Sequence, residues 1–170
     1  MLKIFIGAIK LAFKNNLLKE ENKFRINYLK DRPKDINFPK DLINKIKKNK
    51  IGVILGSQIY MVNDEIIRDE LDIDFTIGGN PCRYLYIPMN EIWISMYLSP
   101  SDYSGVIVHE MVESLLMKKG FSYDSSHNKA NIFEYKLRKK IDVGEIIIEN
   151  NNDALKCAKE IIQDFLNHES

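Results

Sequence analysis

A chain of 170 residues, 45% hydrophobic and 29% charged, is long enough for one well-packed domain with an extension and too apolar to be disordered throughout. Its two cysteines, Cys82 and Cys157, stand far apart, which excludes a disulfide scaffold and, without a secretory leader, predicts a cytoplasmic protein. The formal net charge of +1 hides an asymmetry: fourteen Lys and Arg against five Asp and Glu up to Lys50, then eleven against nineteen.

The first nineteen residues contain no acid and set Phe5, Ile9, Ala12 and Phe13 at helical spacing, with Lys3, Lys10 and Lys14 on another side. Lys10 interrupts the apolar run too early for a transmembrane span. The pattern predicts a helix docked on its own domain, with an interfacial helix as the alternative. From Glu20 to Lys50, Pro33, Pro39 and many Lys and Asn predict a connection with one short helix around Asp41 to Lys48. Residues 1–50 are thus a basic, helical N-terminal arm. Such an arm is either a solvated basic face, attracted to the acidic body that follows, or a contact for a polyanion or a protein partner.

From Ile51 the texture changes to short β-type runs. Ile51 to Gly56 and Gln58 to Val62 predict a hairpin or meander, with Asn63-Asp64 as turn material. Phe75 to Ile77, Tyr84 to Ile87 and Ile92 to Tyr97 continue the series between Gly78-Gly79-Asn80-Pro81 and Pro88-Met89-Asn90. Ser99-Pro100-Ser101-Asp102 then offers a helix start, and Val106, Ile107, Met111, Val112, Leu115 and Leu116 recur at helical spacing. Gly120 stops that helix, Ser122 or Asp124 caps the next, and Asn152 to Asn167 closes the chain as an amphipathic helix. The expected fold is α+β: a small, mainly antiparallel sheet packed against a helix pair, with N- and C-terminal helices, the domain itself spanning residues 51–170.

The chemistry concentrates in Val108-His109-Glu110-Met111-Val112-Glu113, followed by His127 and Glu134. Positions four apart share a helix face, so His109 and Glu113 can aim at one point, while Glu110 lies roughly 100° round the helix. On the next helix His127, Asn131 and Glu134 share a face, and a turn of a few residues brings that helix back over the first. His109, Glu113, His127 and Glu134 are therefore the candidate metal ligands. Nitrogen and oxygen donors suit Zn2+; if Glu110 and Glu134 both join, a carboxylate-rich site favours Fe2+ or Mn2+ and has room for two ions. Cys82 is a conceivable thiolate ligand, although zinc thiolates usually come in closely spaced pairs. His168 reads as a solvated terminal histidine. Without a metal, the same residues would form a buried polar network joining two helices.

The stretch from about Ile59 to Arg138 resembles a family of uncharacterised proteins frequent in phage and microbial genomes. The residues that carry the likeness are Asp72-Ile73-Asp74-Phe75, Gly78-Gly79, Tyr84-Leu85-Tyr86-Ile87-Pro88, Glu91-Ile92-Trp93-Ile94, the His109 to Glu113 segment, and Tyr123-Asp124 with His127, Ala130 and Glu134. They cover roughly half the chain. The resemblance implies that these residues belong to one site and that the protein is of viral or microbial origin, working inside the host cell if viral; the family has no settled activity to lend. Two positions depart from the pattern: Asn80 follows the glycine pair in place of His, and Ser126 precedes His127 in place of Ala. A ligand supplied by that His would be missing here. A more distant similarity, to the zincin metallopeptidases, rests on the strand, the helix and the His109-Glu110 pair.

These features imply a zinc-dependent hydrolase, with peptide or protein substrates by analogy alone. His109, Glu113 and His127 hold the cation, Glu110 moves the proton, Tyr123 donates to a developing oxyanion, and Glu134 or Asn131 orients the ligands. The competing reading is a non-catalytic phage or host accessory protein, with a structural metal or polar network and an arm that contacts nucleic acid or a protein partner. No helix-turn-helix, zinc-finger or glycine-rich phosphate motif supports specific nucleic-acid reading. Phe24, Tyr28 and Phe38 in the arm read as packing residues.

Overall fold

Alternation along two strands divides the apolar residues between two cores. In the computed structural model, which describes residues 40–46 and 48–168, β1 (Asn49–Ile54) and β2 (Ser57–Val62) form a hairpin closed by Leu55 and Gly56, both at positive φ. A tight turn with two such residues matches the right-handed twist of the strands it joins. β2 then pairs in parallel with β4 (Glu91–Ser95), from Gln58 opposite Glu91 to Val62 opposite Ser95. The two-residue strand β3 (Gly78–Gly79) completes the order β1-β2-β4-β3 as an antiparallel edge. Ile59, Ile92 and Ile94 face the larger core, and Val62 and Trp93 face the smaller one. All five residues of β4 are buried, as befits a strand covered on both sides.

Five helices are present among the described residues. The short α1 (Lys40–Ile46) and α2 (Asp64–Glu70) lie by the smaller core, where Ile46 and Ile67 join Phe75, Tyr84 and Ile87. The long helices α3 (Pro100–Lys118), α4 (Tyr123–Asp142) and α5 (Asn151–His168) build the larger one. α3 is central: it packs against both other long helices and against β3 and β4, so nearly all its residues from Tyr103 to Met117 are buried. The chain is therefore α+β, with two of the three strand pairings antiparallel. None of the described helices is long and apolar enough to cross a membrane. The helix expected over Met1 to Lys19, and the basic arm before residue 40, lie outside the described residues.

Three local expectations are corrected. The run Tyr84 to Ile87 is a series of turns, because Asn80 ties down its start: its backbone carbonyl accepts from the amides of Arg83 (3.2 Å) and Tyr84 (2.9 Å), and Tyr84 in turn accepts from Ile87 (3.0 Å). Tyr84 and Ile87, three apart, then drop into the smaller core beside Trp93. Phe75 to Ile77 is loop, and the pairing begins at Gly78. Asn63-Asp64 opens a helix rather than a simple turn: Asn63 Oδ1 accepts from the Ile66 amide at 3.2 Å, and Arg68 pairs with Asp64 at 2.7 Å.

The edge strand lies against α3 so closely that a side chain at residue 78 has no room. A Cβ on Gly78 would stand 2.4 Å from Val106 Cγ1 and 3.0 Å from Glu110 Oε1. Val106 is β-branched and buried, so it has little freedom to yield. Gly78→Ala is expected to lower stability by about 1–3 kcal/mol, read as a shifted urea midpoint by Trp93 fluorescence; an unchanged midpoint would show that β3 and α3 are not held at this distance.

Candidate metal centre

Helix caps set the register of the site. Ser99 Oγ accepts from the Asp102 amide (3.3 Å) and Pro100 follows in the first turn, which starts α3 and places His109 and Glu113 on one face. Gly120, at φ 95°, follows the end of α3, and Ser122 Oγ accepts from the Ser125 amide at 3.2 Å to begin α4. The four-residue link folds α4 back along α3. Glu113 meets His127, His109 meets Glu134, and Gly105 meets Arg138, the register of an antiparallel pair.

Three donor atoms converge where the helices face each other. His109 Nε2 lies 3.1 Å from His127 Nδ1, His127 Nδ1 lies 2.9 Å from Glu113 Oε2, and the third side, His109 Nε2 to Glu113 Oε2, is 3.4 Å. Donor atoms held at about 2.0–2.1 Å around a tetrahedral zinc ion are about 3.3 Å apart, the size of this triangle. Either ring protons shared with Glu113 or a cation can satisfy it. Glu113 is held below the usual carboxylate range: burial acts against this, but hydrogen bonds from His109, Asn80 and His127 outweigh it. Its oxygen is therefore an acceptor only. With both ring nitrogens protonated, both N–H groups point at the one oxygen Glu113 Oε2, at 3.4 and 2.9 Å; with neither protonated, three lone pairs face one another. A cation at the centre serves all three lone pairs.

Glu134 reaches the centre by the other face of His109. Its Oε2 lies 2.9 Å from His109 Nδ1, and its Oε1 accepts from Arg138 Nε at 2.8 Å. It stands outside the three-atom cluster and orients the ring, leaving Nε2 turned inward. Burial disfavours charge on His109, but hydrogen bonds to Glu113 and Glu134 and the nearby Glu110 overcome it and push its pKa up to about 10. Glu134 is held low by His109 and Arg138 despite its own burial.

Glu110 projects beside the triangle toward Gly78, and burial, reinforced by Glu113, raises its pKa to about 7. The amide of Asn80, fully buried, bridges the two carboxylates: Nδ2 donates to Glu110 Oε2 and to Glu113 Oε1, both at 2.8 Å. Asn80 Oδ1 accepts from the Cys82 and Arg83 amides. Asn80 is thus a neutral clamp between the two carboxylates, a role the sequence did not reveal. Tyr123 stacks on His127 with centroids 5.4 Å apart, and its hydroxyl pKa is raised by burial and by Glu113. Asn131 is exposed and does not line the pocket, His168 bonds the carbonyl of Asp164 in its own helix, and Cys82 Sγ points to Ser114. The centre forms one wall of a pocket of about 170 Å³, below the ~300 Å³ at which sites for larger ligands begin, so it admits a few groups at a time.

No protein-family model matches the chain, and no curated protein or solved structure is significantly similar to it.

The raised pKa of Glu110 has a measurable sign. Its neutral form is favoured in the fold, so its contribution is fully present below its ordinary value of 4.5 and is lost as pH climbs through about 7. In chelator-treated protein, Glu110→Gln should match the wild type in stability near pH 4.5 and exceed it at pH 8 by up to about 3 kcal/mol. Denaturation curves that stay parallel across this range would contradict a buried, neutral-preferring Glu110.

Proposed function

We propose that His109, His127 and Glu113 hold a divalent cation, zinc foremost with iron or manganese as alternatives, and that the site hydrolyses amide bonds of peptides. The observation that carries this reading is the triangle of three possible lone-pair donors with sides of 3.1, 2.9 and 3.4 Å, the size expected around one tetrahedral ion. Two imidazoles and one carboxylate form a donor set suited to catalytic zinc. The cation would supply Lewis-acid polarisation of the groups that enter its open position.

The chain's own residues supply the rest. Glu110, buried beside the triangle with a pKa near 7, can accept a proton at neutral pH and return it to a leaving amine. Asn80 keeps that carboxylate in place through its 2.8 Å hydrogen bond. Tyr123 keeps its phenolic proton and can donate to an oxygen that gains negative charge. Glu134 fixes the His109 tautomer with Nδ1 protonated. The similarity of the His109 to Glu134 pattern to the microbial family, and of His109-Glu110 to the zincins, points the same way. Peptide substrates rest on that analogy.

One observation favours a second reading. An imidazolium at His109, between Glu113 and Glu134, can neutralise the cluster without a metal, making the network a lock between α3 and α4. Metal analysis of untagged protein separates the two. About one zinc per chain is expected, lost in His127→Ala, with Glu110→Gln retaining the metal and losing turnover. Zinc uptake near pH 8 should also release about one proton, that of His109 Nε2, read from the buffer dependence of the binding enthalpy. Fully folded protein without metal and without zinc affinity would leave only the polar lock.

A further inference from the structure

Among the described residues, Arg83 is the only Lys or Arg that lines the metal-centre pocket. Its backbone is pinned to the site, since its amide bonds both the carbonyl and Oδ1 of Asn80, each at 3.2 Å. Its guanidinium lies between two aromatic rings, with Cζ 5.3 Å from the centroid of Tyr84 and 5.0 Å from that of Tyr123. Among the described residues it enters no ion pair with a carboxylate, whereas Arg138 pairs with Glu134 and Asp102, and Arg68 with Asp64. A guanidinium carries five N–H donors in a planar fork suited to two-pronged capture of an oxyanion. The two rings and a hydrogen bond to the Tyr123 hydroxyl hold the fork in position, with further N–H groups left for a ligand.

We infer that Arg83 receives the C-terminal carboxylate of a peptide substrate, so that the site removes a terminal residue rather than cutting within a chain. This rests on the metal-hydrolase reading and names its substrate class. Reach supports it: the guanidinium stands no farther from the His127 ring than the two stacking steps through Tyr123, 5.0 and 5.4 Å. One extended residue covers about 3.5 Å, a charge-assisted hydrogen bond about 2.8 Å and a metal contact about 2 Å, together about 8 Å and within that upper limit. Charge supports it as well. Glu110, Glu113 and Glu134 make the pocket wall acidic, so an anionic substrate needs a dedicated cation away from them, and among the described lining residues that is Arg83.

The test compares succinate with butyrate on zinc-loaded protein by calorimetry, since succinate alone can place one carboxylate on the metal and the other on Arg83. Succinate is expected to bind about tenfold tighter or more, with the preference lost in Arg83→Gln and partly kept in Arg83→Lys. Equal binding of the two acids by wild-type protein, or a preference that survives in Arg83→Gln, overturns the assignment while leaving the metal centre standing. A protein that takes up no zinc sinks the hydrolase reading, and this one with it. Turnover adds an independent arm: a peptide with a free C-terminus should be cleaved at least about tenfold faster, by kcat/KM, than its C-terminal amide, and equal rates overturn the assignment.

Discussion

Two ring nitrogens and one ionised carboxylate oxygen, each close to both others, are the constraint around which this molecule is arranged. Either both rings donate to the shared Glu113 oxygen, or all three turn lone pairs to one point where a cation would fit. Such a cluster persists only where the surroundings enforce it, and here they do. Asn80 grips the outer oxygen of Glu113, Glu134 grips the outer nitrogen of His109, and Arg138 grips Glu134. Glu113 and His109 are thus each aimed by a bond on the outward side, the usual arrangement behind metal ligands, while His127 stacks on Tyr123.

The fold delivers that enforcement through one buried helix. α3 lies between the sheet and the two other long helices, so its buried polar residues from Ser104 to Ser114 draw most of their partners from neighbouring elements. α4 supplies His127 and Glu134 from one side. The loop after β3 supplies Asn80 from the other, and the small edge strand comes close enough only because Gly78 lacks a side chain. Hydrogen bonding and packing therefore act on the same few atoms. The loop that carries Asn80 also carries Arg83, which links the geometry of the carboxylates to a guanidinium on the pocket wall.

Much of this was legible in the sequence where the signal is local. Ser99-Pro100 and Gly120 with Ser122 mark helix ends by chemistry that acts within four residues, and the four-residue spacing of His109 and Glu113 is a property of a single helix. The short link then left α4 one direction in which to return. The parallel pairing of β2 with β4 was not legible, because strand patterns record burial and not partner or direction. Tyr84 to Ile87 has the composition of a strand, yet hydrogen bonds to Asn80 and the demand of the smaller core for large rings override it. The capping pattern Asn63-Asp64-Glu65 was available as a sign of α2 and was read as a turn. The clamp at Asn80 joins residues thirty and thirty-three positions away, a distance over which spacing carries no information. Arg83 gave a fainter signal: one cation in an aromatic-rich loop.

The most direct measurement is an anomalous-difference map at the zinc edge from a crystal grown with zinc and without an affinity tag. The result expected is one strong peak about 2.0–2.1 Å from His109 Nε2, His127 Nδ1 and Glu113 Oε2 together. A map with no peak there, while those three atoms keep their mutual contacts, would contradict a cation seat and leave the two helices joined by hydrogen bonds alone.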